Sequence, residues 1–338
     1  MTRVECIDAD VVQYPEKYDE HLPAYRAAFA ADGFTVPGTI ITPSTTAAAL
    51  DHLERVCRGE YDLQTAPSKP LRTIDRRFCF GRHVNTEGSS KSKTMQIVNI
   101  WHSDSLFQRL ATSTTLGKIV ADVTGWWKRG VRLAQDQIWV KPPHSGPLSF
   151  HRDTTYFDIE PREVATVWIS FDTLSDRSLG PLEYCRGSHL WSLARRGSAN
   201  QFFDNDYRCM LRDAARREIA AIEAKLSIDS ASDVSCNESL EAKLTPQERM
   251  IWHSARELDV IPVIVSAGGC SIHNGNTWHG SGPNLSSAIY RRGMGIHFIP
   301  GDATFADEVG RMWAPYKAAG SNELPIESFP YVFAPLSG

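Results

Sequence analysis

The segment Phe-His-Arg-Asp-Thr-Thr-Tyr-Phe, at residues 150–157, determines how the fold and the function of this chain are interpreted. In a β-strand alternate side chains share a face, so His151 and Asp153 are predicted to point to one side of a sheet and Arg152 to the other. A His-x-Asp triplet alone is weak evidence, because such pairs arise by chance in chains of this length. Its context therefore decides how the triplet is interpreted.

A later segment, Thr-Trp-His-Gly-Ser-Gly at residues 277–282, contains a third candidate ligand. If a strand brings His279 to the spot that His151 and Asp153 face, two imidazoles and one carboxylate occupy one side of a metal ion and leave the other side open. Non-haem Fe(II) oxygenases use this arrangement. The alternative, in which His279 is a hydrogen-bonded core or turn histidine, stays open at this point.

Further motifs surround these two segments, and their combination is far more specific than any one of them. Between about residues 94 and 300 the chain resembles the phytanoyl-CoA dioxygenase family of Fe(II)/2-oxoglutarate-dependent oxygenases. The resembling stretches are Lys-Pro-Pro-x-Ser-Gly at 141–146, His-x-Asp-x-x-Tyr-Phe at 151–157, Gly-Pro-Leu at 180–182, Gly-Ser-His at 187–189, His-Gly-Ser-Gly-x-Asn at 279–284 and the later Arg291.

The distribution of strand-like stretches predicts a mainly β fold with flanking helices. Several such stretches follow one another with Gly, Pro and Asn turns between them and without a regular helical repeat, which favours a double-stranded β-helix, the jelly roll of cupin-like proteins. The predicted strands are 131–141, 148–153, 163–171, 182–185, 258–265, 269–274 and 288–299.

One enlarged domain over residues 1–338 is the simplest division of the chain. Residues 1–125 are predicted to form a helical preface with an irregular loop, and residues 131–300 the jelly-roll core. A charged helical insertion is predicted at about 208–256, and covering the mouth of the barrel is one role open to it. Within the preface we predict a helix before Gly33, a helix from Pro43 to Gly59 and a single helix from Ser103 or Asp104 to Gly125.

The far carboxylate of 2-oxoglutarate needs a cation, and the planar fork of Arg matches a carboxylate better than the point charge of Lys. Arg291 and Arg292 both offer one, but only one of them can face inward on a strand. The residue order up to the His-Phe pair at 297–298 aligns Arg291 with the arginine of the family, and Arg292 is the fallback. The interval from His279 is one residue longer than is usual in the family, which predicts a bulge.

The resemblance implies three further cofactor contacts. The hydroxyl of Ser281 is expected to help hold the carboxylate of 2-oxoglutarate, Trp168 to form an aromatic wall, and Gln137 to line the same pocket. Alternation along residues 166–170 puts Trp168 on the more polar face, although the role of an ordinary core Trp stays equally open.

Two more expectations concern the same pocket. Gly293 and Gly295 share the face of Arg291, so their missing side chains are predicted to leave room for a small molecule. Some members of the family have a Lys near the position of Gln96, and this departure leaves the role of Gln96 undecided.

The resemblance implies an oxygenase that uses Fe(II), 2-oxoglutarate and O₂, releases succinate and CO₂, and is stimulated by ascorbate. Because Asp153 fills the position that related halogenases leave vacant for halide, hydroxylation or another oxidative outcome is favoured. The alternatives are a cupin-like metal-dependent isomerase or lyase that needs no 2-oxo acid, and a non-catalytic jelly-roll binding module. The expected substrate is a small molecule, and specialised metabolism is one setting for it.

For the substrate the sequence offers little beyond aromatic residues near the expected opening: Trp101, His102, Tyr156 and Phe157. An acyl-CoA would need a phosphate-binding surface, and the only candidate is the basic cluster of Arg72, Arg76, Arg77, Arg82, Lys91 and Lys93. A free metabolite is an equally plausible substrate. His144, His189, His273 and His297 compete as metal ligands, and we interpret the last three as internally hydrogen-bonded structural residues.

Composition limits the other function classes. The 338 residues carry a formal net charge of −4, so no domain-wide basic excess indicates nucleic-acid binding. The seven Cys are widely spaced and include no Cys-x-x-Cys pair, which argues for reduced thiols. No apolar run is long enough to cross a membrane, and residues 1–8 do not resemble a secretory signal, so we expect a cytoplasmic protein without a membrane partner.

Overall fold

Two antiparallel β-sheets face each other across a cavity and form the predicted jelly roll. The structure is a computed structural model and describes residues 11–71, 94–192, 206–230 and 240–335. Its strands are β1 (Phe34–Thr39), β2 (Met95–Val98), β3 (Val131–Lys141), β4 (Leu148–His151), β5 (Ile159–Glu160), β6 (Ala165–Ser170), β7 (Leu182–Cys185), β8 (Val260–Pro262), β9 (Gly269–Asn274), β10 (His279–Ser281), β11 (Arg291–Pro300), β12 (Thr304–Phe305) and β13 (Tyr331–Phe333).

The strand order interleaves early and late parts of the chain. The larger sheet runs β1-β9-β6-β11-β3-β13, with β2 also paired to β3, and the smaller sheet runs β4-β10-β7-β8. The strands β12 and β5 form a separate pair. Because β1 and β13 both join the larger sheet, segments from both ends of the described chain belong to one β-structure.

Helices cover the outer faces of both sheets. They are α1 (Tyr18–Asp32), α2 (Pro43–Arg58), α3 (Ser105–Ala111), α4 (Thr114–Thr124), α5 (Cys209–Ser230) and α6 (Pro246–Glu257). Their ends follow the expected cap chemistry: Thr42 caps α2 by accepting a hydrogen bond from the backbone N–H of Thr45 at 3.1 Å, and Gly59 ends that helix with φ 87°. None of the described helices combines the length and hydrophobicity that a bilayer crossing requires.

Strand alternation gives the larger sheet one apolar and one cavity-facing side. In β11, Met294 and Ile296 are buried in the apolar core that also contains α4, whereas Gly295 and His297 line the cavity. The same alternation in β6 places Val167 in the core. Thus the strand periodicity that builds the core also determines which side chains can reach a bound molecule.

The predicted strands all occur, three of them with the predicted bounds (131–141, 182–185 and 269–274), and the largest differences concern three elements. β4 ends at His151, and Asp153 begins a 3₁₀ turn, Asp153–Tyr156, so the two side chains are not alternate members of one strand. The single helix predicted to end at Gly125 is two helices, because Ser113 caps a new helix by accepting from Leu116 N–H at 3.2 Å. The strand predicted at 258–265 is only three residues long.

The predicted insertion lies between β7 and β8, but its described part does not cover the mouth of the barrel. Its helices α5 and α6 pack with Phe150 and Trp278 on the smaller sheet in one apolar cluster, and neither of those two residues lines the cavity. The edge of the cavity is instead formed by the C-terminal segment, where Met312 lines it and Trp313 donates a hydrogen bond to the carbonyl of Tyr156 at 2.7 Å. The basic cluster expected between Arg72 and Lys93 lies outside the described residues.

A buried acid lies on the core side of β3. Asp136 has no solvent exposure, and its Oδ1 accepts a hydrogen bond from the backbone N–H of Trp101 at 3.3 Å. Its Oδ2 has no partner among the described residues. Burial raises the pKa of this carboxyl to about 7, so near neutral pH Asp136 is protonated in a large fraction of the folded molecules.

The raised pKa of Asp136 predicts how stability depends on pH. Above about pH 4 the unfolded state loses this proton while the folded state keeps it, so the free energy of unfolding falls by up to about 1.4 kcal/mol per pH unit until about pH 7. Denaturant unfolding of the metal-free Asp136→Asn protein should show a smaller loss of stability across that window than the wild type. An identical pH slope in both proteins would show that Asp136 is ionised in the folded state.

Candidate metal centre and cofactor pocket

Three predicted ligands converge in the structure although they come from different elements. His151 ends β4, Asp153 begins the adjacent 3₁₀ turn, and His279 begins β10, the strand paired with β4 directly at His151. Their donor atoms all lie within 4.8 Å of one another, and all three residues are buried. Asp153 Oδ1 is 3.7 Å from His151 Nε2 and 3.5 Å from His279 Nε2. The three donors are close enough to share one ion.

Backbone hydrogen bonds orient both imidazoles toward this point. The Nδ1 of His151 lies 2.9 Å from the carbonyl oxygen of Ser149, and the Nδ1 of His279 lies 3.0 Å from that of Thr277. Since a carbonyl only accepts, both Nδ1 atoms carry the proton and both Nε2 atoms present a lone pair. Burial lowers the pKa of each ring to about 4, so both remain neutral near pH 7.

The second carboxylate oxygen of Asp153 is held by two donors and faces away from the histidine pair. Thr166 Oγ1 donates to Oδ2 at 2.7 Å, and His273 Nε2 lies 2.9 Å from the same atom. A carboxylate can only accept, so His273 is protonated at Nε2. Burial alone would raise the pKa of Asp153, but the nearby His279 and His297 and the His273 hydrogen bond hold it well below its usual value.

These two donors are themselves the ends of directed hydrogen-bond chains. Because His273 Nε2 carries the proton, its Nδ1 accepts from the Tyr184 hydroxyl at 2.9 Å, and Tyr184 accepts in turn from Ser271 at 2.8 Å. In the other chain, Thr166 gives its only proton to Asp153, so His297 Nδ1 must donate to Thr166 at 2.9 Å. Both chains end on Oδ2 and leave Oδ1 for a metal.

A second group of possible ligands, His52, Asp62 and Asp104, is better explained by its structural hydrogen bonds. Asp104 caps α3 by accepting from the backbone N–H of Leu106 at 3.0 Å, and it also contacts His52 Nδ1. The guanidinium of Arg55 lies 3.9 Å from the same carboxylate, which disfavours another cation there. Of these two groups of described residues, the triad of His151, Asp153 and His279 is the one whose donor set and oriented surrounding fit Fe(II).

The predicted cofactor arginine is buried inside the pocket. Arg291, with 2% exposure, lines the cavity, its guanidinium lies 4.8 Å from the Trp168 ring centroid, and its Nε has no partner among the described residues. Burial lowers its pKa to about 10, so it still carries its charge at neutral pH. A buried cation with an unused donor fits an incoming carboxylate.

Arg292, the fallback, points elsewhere. Its side chain forms a two-nitrogen ion pair with Asp172, with Nε 3.0 Å from Oδ2 and Nη2 2.5 Å from Oδ1. The interval in which a bulge was predicted contains one irregularity, because the pairing of β10 with β4 shifts register between His279 and Ser281, whereas β11 pairs regularly with β3 from Arg291 to His297.

A fully buried lysine, which the sequence did not predict, lies beside Arg291 but is not among the residues that line the cavity. Lys141 has no solvent exposure, pairs with Arg291 in register, and its Nζ donates to the backbone carbonyls of Ser281 and Gly282 at 3.4 and 2.5 Å. Burial and the nearby Arg291 lower its pKa well below the usual value. The hydroxyl of Ser281, a predicted cofactor contact, is buried without a partner among the described residues, but Ser281 is not among the residues that line the cavity.

Two further predicted cofactor contacts lie in the pocket, and one glycine prediction was wrong. Trp168 and Gln137 line the cavity, as does Gly295, beside which a Cβ would meet no atom closer than 4.0 Å. Gly293 leaves no room for a ligand, because a Cβ there would lie 2.8 Å from the ring of Trp168. Its small size lets Trp168 pack flat against β11.

The structure places the other predicted aromatic and histidine residues either at the cavity wall or in the core. Tyr156 and Phe157 line the cavity, whereas Trp101 is buried in the helical core. His273 is hydrogen-bonded through both ring nitrogens, as expected of a structural histidine. His297 uses only Nδ1, and its buried Nε2 has no partner among the described residues.

The fold and the site define a jelly-roll protein with a buried facial His-Asp-His triad beside an arginine-lined pocket. The family model for phytanoyl-CoA dioxygenase (PhyH) matches residues 29–293, and the chain belongs to this family. Family membership confirms the predicted enzyme class, an Fe(II)/2-oxoglutarate-dependent oxygenase, with iron and 2-oxoglutarate as its cofactors. No curated protein matches the chain in sequence.

Solved structures share the fold at low sequence identity. The epimerase SnoN, in a crystal structure with Fe³⁺, α-ketoglutarate and nogalamycin RO, superposes with a TM-score of 0.59 and 16% identity, covering 93% of this chain and 99% of SnoN. The non-haem α-ketoglutarate-dependent carbocyclase SnoK gives 0.57 and 16%, covering 91% and 94%. The non-haem monooxygenase ThoJ gives 0.50 and 19%, covering 83% and 79%. These similarities support the fold assignment.

The hydrogen bond from Thr166 to Asp153 predicts an effect on metal binding. Replacing Thr166 by Val removes the donor to Oδ2 and interrupts the chain from His297 while keeping the side-chain volume, so the affinity for Fe(II) or Mn(II) should fall by about 10- to 100-fold. Thr112→Val, which removes a helix-end hydroxyl far from the triad, is the matched control and should not change it. Equal metal affinities in Thr166→Val and the wild type would contradict this role.

Proposed function

We propose that this enzyme binds Fe(II) through His151, Asp153 and His279 and hydroxylates a C–H bond of a small molecule held in the cavity between the sheets. The proposal rests mainly on one observation. Both histidines donate Nδ1–H to backbone carbonyls and so present Nε2 lone pairs toward the one oxygen of Asp153 that the hydrogen-bond chains leave unused. A structural histidine cluster would not need two rings oriented in this way.

We assign the far carboxylate of 2-oxoglutarate to Arg291, with the Ser281 hydroxyl beside it and Trp168 as the wall. Arg291 supplies the buried charge, and Trp168 fixes the guanidinium by stacking beneath it. Lys141 holds the backbone of Ser281 in place. When bound, iron and 2-oxoglutarate supply the oxidising chemistry, while the protein determines which C–H bond lies near the metal.

The cavity that would hold cofactor and substrate has a volume of about 430 Å³. Two of its lining residues, Lys69 and the 41%-exposed Met312, also face solvent and mark its opening. Arg291 is buried at the opposite end, so 2-oxoglutarate is expected deep in the cavity and the substrate toward the opening. A volume of this size suits a small organic molecule.

A metal-dependent isomerase or lyase that needs no 2-oxo acid is the second candidate. The buried guanidinium of Arg291 favours the oxygenase, because it lines the cavity with an Nε that has no partner among the described residues, and such an isomerase would leave it unused. SnoN and SnoK are described as an epimerase and a carbocyclase that depend on α-ketoglutarate, so oxidation on this fold is not limited to net hydroxylation. Succinate release under air and its absence under anaerobic conditions distinguish the two candidates.

The ligand assignment is tested by Asp153→Ala. Loss of the only carboxylate at the triad should reduce Fe(II)-dependent conversion of 2-oxoglutarate to succinate to background, measured across a panel of candidate substrates with the wild type alongside. Asp172→Ala, which removes a carboxylate outside the triad, is the control and should retain turnover. Succinate formation by Asp153→Ala at the wild-type rate would refute the proposed centre.

The cofactor assignment is tested by comparing neighbouring arginines. Arg291→Gln should weaken 2-oxoglutarate binding by about 10- to 100-fold, since it removes a charge-assisted pair of hydrogen bonds to the far carboxylate. Arg292→Gln should leave the affinity unchanged, because that guanidinium is paired with Asp172. Calorimetric titration of the metal-loaded proteins measures both affinities. The opposite pattern would transfer the role to Arg292.

A further inference from the structure

A line of side-chain amides forms one wall of the cavity on β2 and β3. Lys69 Nζ lies 2.7 Å from Gln96 Oε1, Gln96 Nε2 lies 2.7 Å from Gln137 Oε1, and Gln137 Nε2 lies 2.8 Å from Gln135 Oε1. The direction of this line is fixed at its first member, because an ammonium group can only donate. Each amide therefore accepts through oxygen and donates through nitrogen to the next residue.

The line ends on a weakly used donor. Gln135 Nε2 has the thioether of Met312 as its partner at 3.9 Å, and sulfur is a weak acceptor. Gln135 is 5% exposed and lines the cavity. An amide N–H buried beside a thioether retains the capacity to bind an oxygen acceptor.

An unused acceptor lies on the neighbouring strand. His297 pairs with Gln135 in the register of β11 and β3, and residues opposite each other in such a pair have Cα atoms about 4.5 to 5.5 Å apart. The Nδ1–H of His297 is used by Thr166, so the buried Nε2 of the neutral ring has a lone pair and no partner among the described residues. Donor and acceptor therefore lie side by side in the cavity lining.

This pair lies on the substrate side of the metal site. Along β11 it is separated from Arg291 by six residues, about 20 Å at roughly 3.3 Å per residue, a distance that the five-carbon cofactor cannot span. Met312, at the opening, contacts Gln135, and the Nδ1 of His297 is 3.6 Å from Asp153 Oδ2. A group bound by Gln135 and His297 would therefore lie between the opening and Asp153, without displacing 2-oxoglutarate from Arg291.

We propose that Gln135 and His297 together bind a hydroxyl group of the substrate and so select a neutral alcohol over charged analogues. The hydroxyl oxygen accepts from Gln135 Nε2, and its proton is donated to His297 Nε2, so one small group satisfies both. Among the described residues lining this end of the cavity, the only cation is Lys69, which Gln96 engages, and the only carboxylate is Asp153. The inference builds on the proposed function, whose iron and 2-oxoglutarate sites define the substrate side.

The test uses four ring compounds of matched size: cyclohexanol, methoxycyclohexane, cyclohexylammonium and cyclohexanecarboxylate. Their dissociation constants are measured by ligand-observed NMR on protein loaded with Zn(II) and 2-oxoglutarate. Wild-type protein should bind cyclohexanol about tenfold more tightly than the other three, since only the alcohol can both accept and donate.

Two variants separate the partners. His297→Asn keeps a donor at the Nδ1 position for Thr166 but removes the Nε2 acceptor, so the advantage of cyclohexanol over its methyl ether should disappear. Gln135→Glu keeps the oxygen that accepts from Gln137 but replaces the donor by an acceptor, so cyclohexylammonium should become the preferred compound. Val98→Ala changes an apolar lining residue and should shift all four affinities alike.

Affinities for Zn(II) and 2-oxoglutarate are measured on the same samples. If both bind and the wild type shows no preference for cyclohexanol, or if His297→Asn retains that preference, the hydroxyl site is refuted while the proposed function stands. If neither metal nor 2-oxoglutarate binds the wild type, the proposed function itself is refuted. Retained cofactor binding in His297→Asn shows that any change in preference does not come from a distorted centre.

Discussion

The interaction on which the site depends most is the hydrogen bonding of Asp153 Oδ2. A buried carboxylate is costly unless its oxygens are satisfied, and here Thr166 and His273 satisfy one oxygen from strands of the larger sheet. The other oxygen then faces two imidazoles from the smaller sheet. The centre therefore connects the two sheets, and the directed chains behind it determine both the orientation of the carboxylate and the tautomers of the surrounding rings.

The outer side of the smaller sheet supports the same residues. Arg152 lies between His151 and Asp153 in the sequence, and Trp278 directly precedes His279. The guanidinium of Arg152 lies 5.2 Å from the centroid of the Trp278 ring and donates a hydrogen bond to the carbonyl of Ser192 at 2.8 Å. The helices α5 and α6 pack over this face. The helical insertion thus supports the strands that contain the ligands. The described residues at the opening of the cavity belong instead to the C-terminal segment and to the chain around Lys69.

The sequence was sufficient for the parts that depend on local pattern or on recognisable motifs. The strands β3, β7 and β9 have their predicted bounds, and the structure brings together His151, Asp153 and His279 beside Arg291 as predicted. The three ligands come together in a different way from the prediction, because Asp153 is oriented by a 3₁₀ turn and not by alternation along the strand that contains His151. Local periodicity cannot distinguish the last residue of a strand from the first residue of such a turn.

Contacts between distant segments could not be predicted. His273 is 120 residues from Asp153, and no spacing rule connects them. Lys141 was part of the Lys-Pro-Pro motif, yet only the pairing of β3 with β11 shows that its side chain is buried beside Arg291. Gly293 was predicted to leave room for a small molecule, but the ring of Trp168, on β6, occupies that space. Side chains that meet across sheets are fixed by tertiary packing.

The most direct test of the central claim is a crystal structure of the protein with Mn(II) in place of Fe(II), read from the anomalous scattering of the metal. We expect a single strong peak bounded by His151 Nε2, His279 Nε2 and Asp153 Oδ1, with Asp153 Oδ2 still bonded to Thr166 and His273. A peak at His52, Asp62 and Asp104, or one in which His273 or His297 replaces a member of the triad, would contradict it.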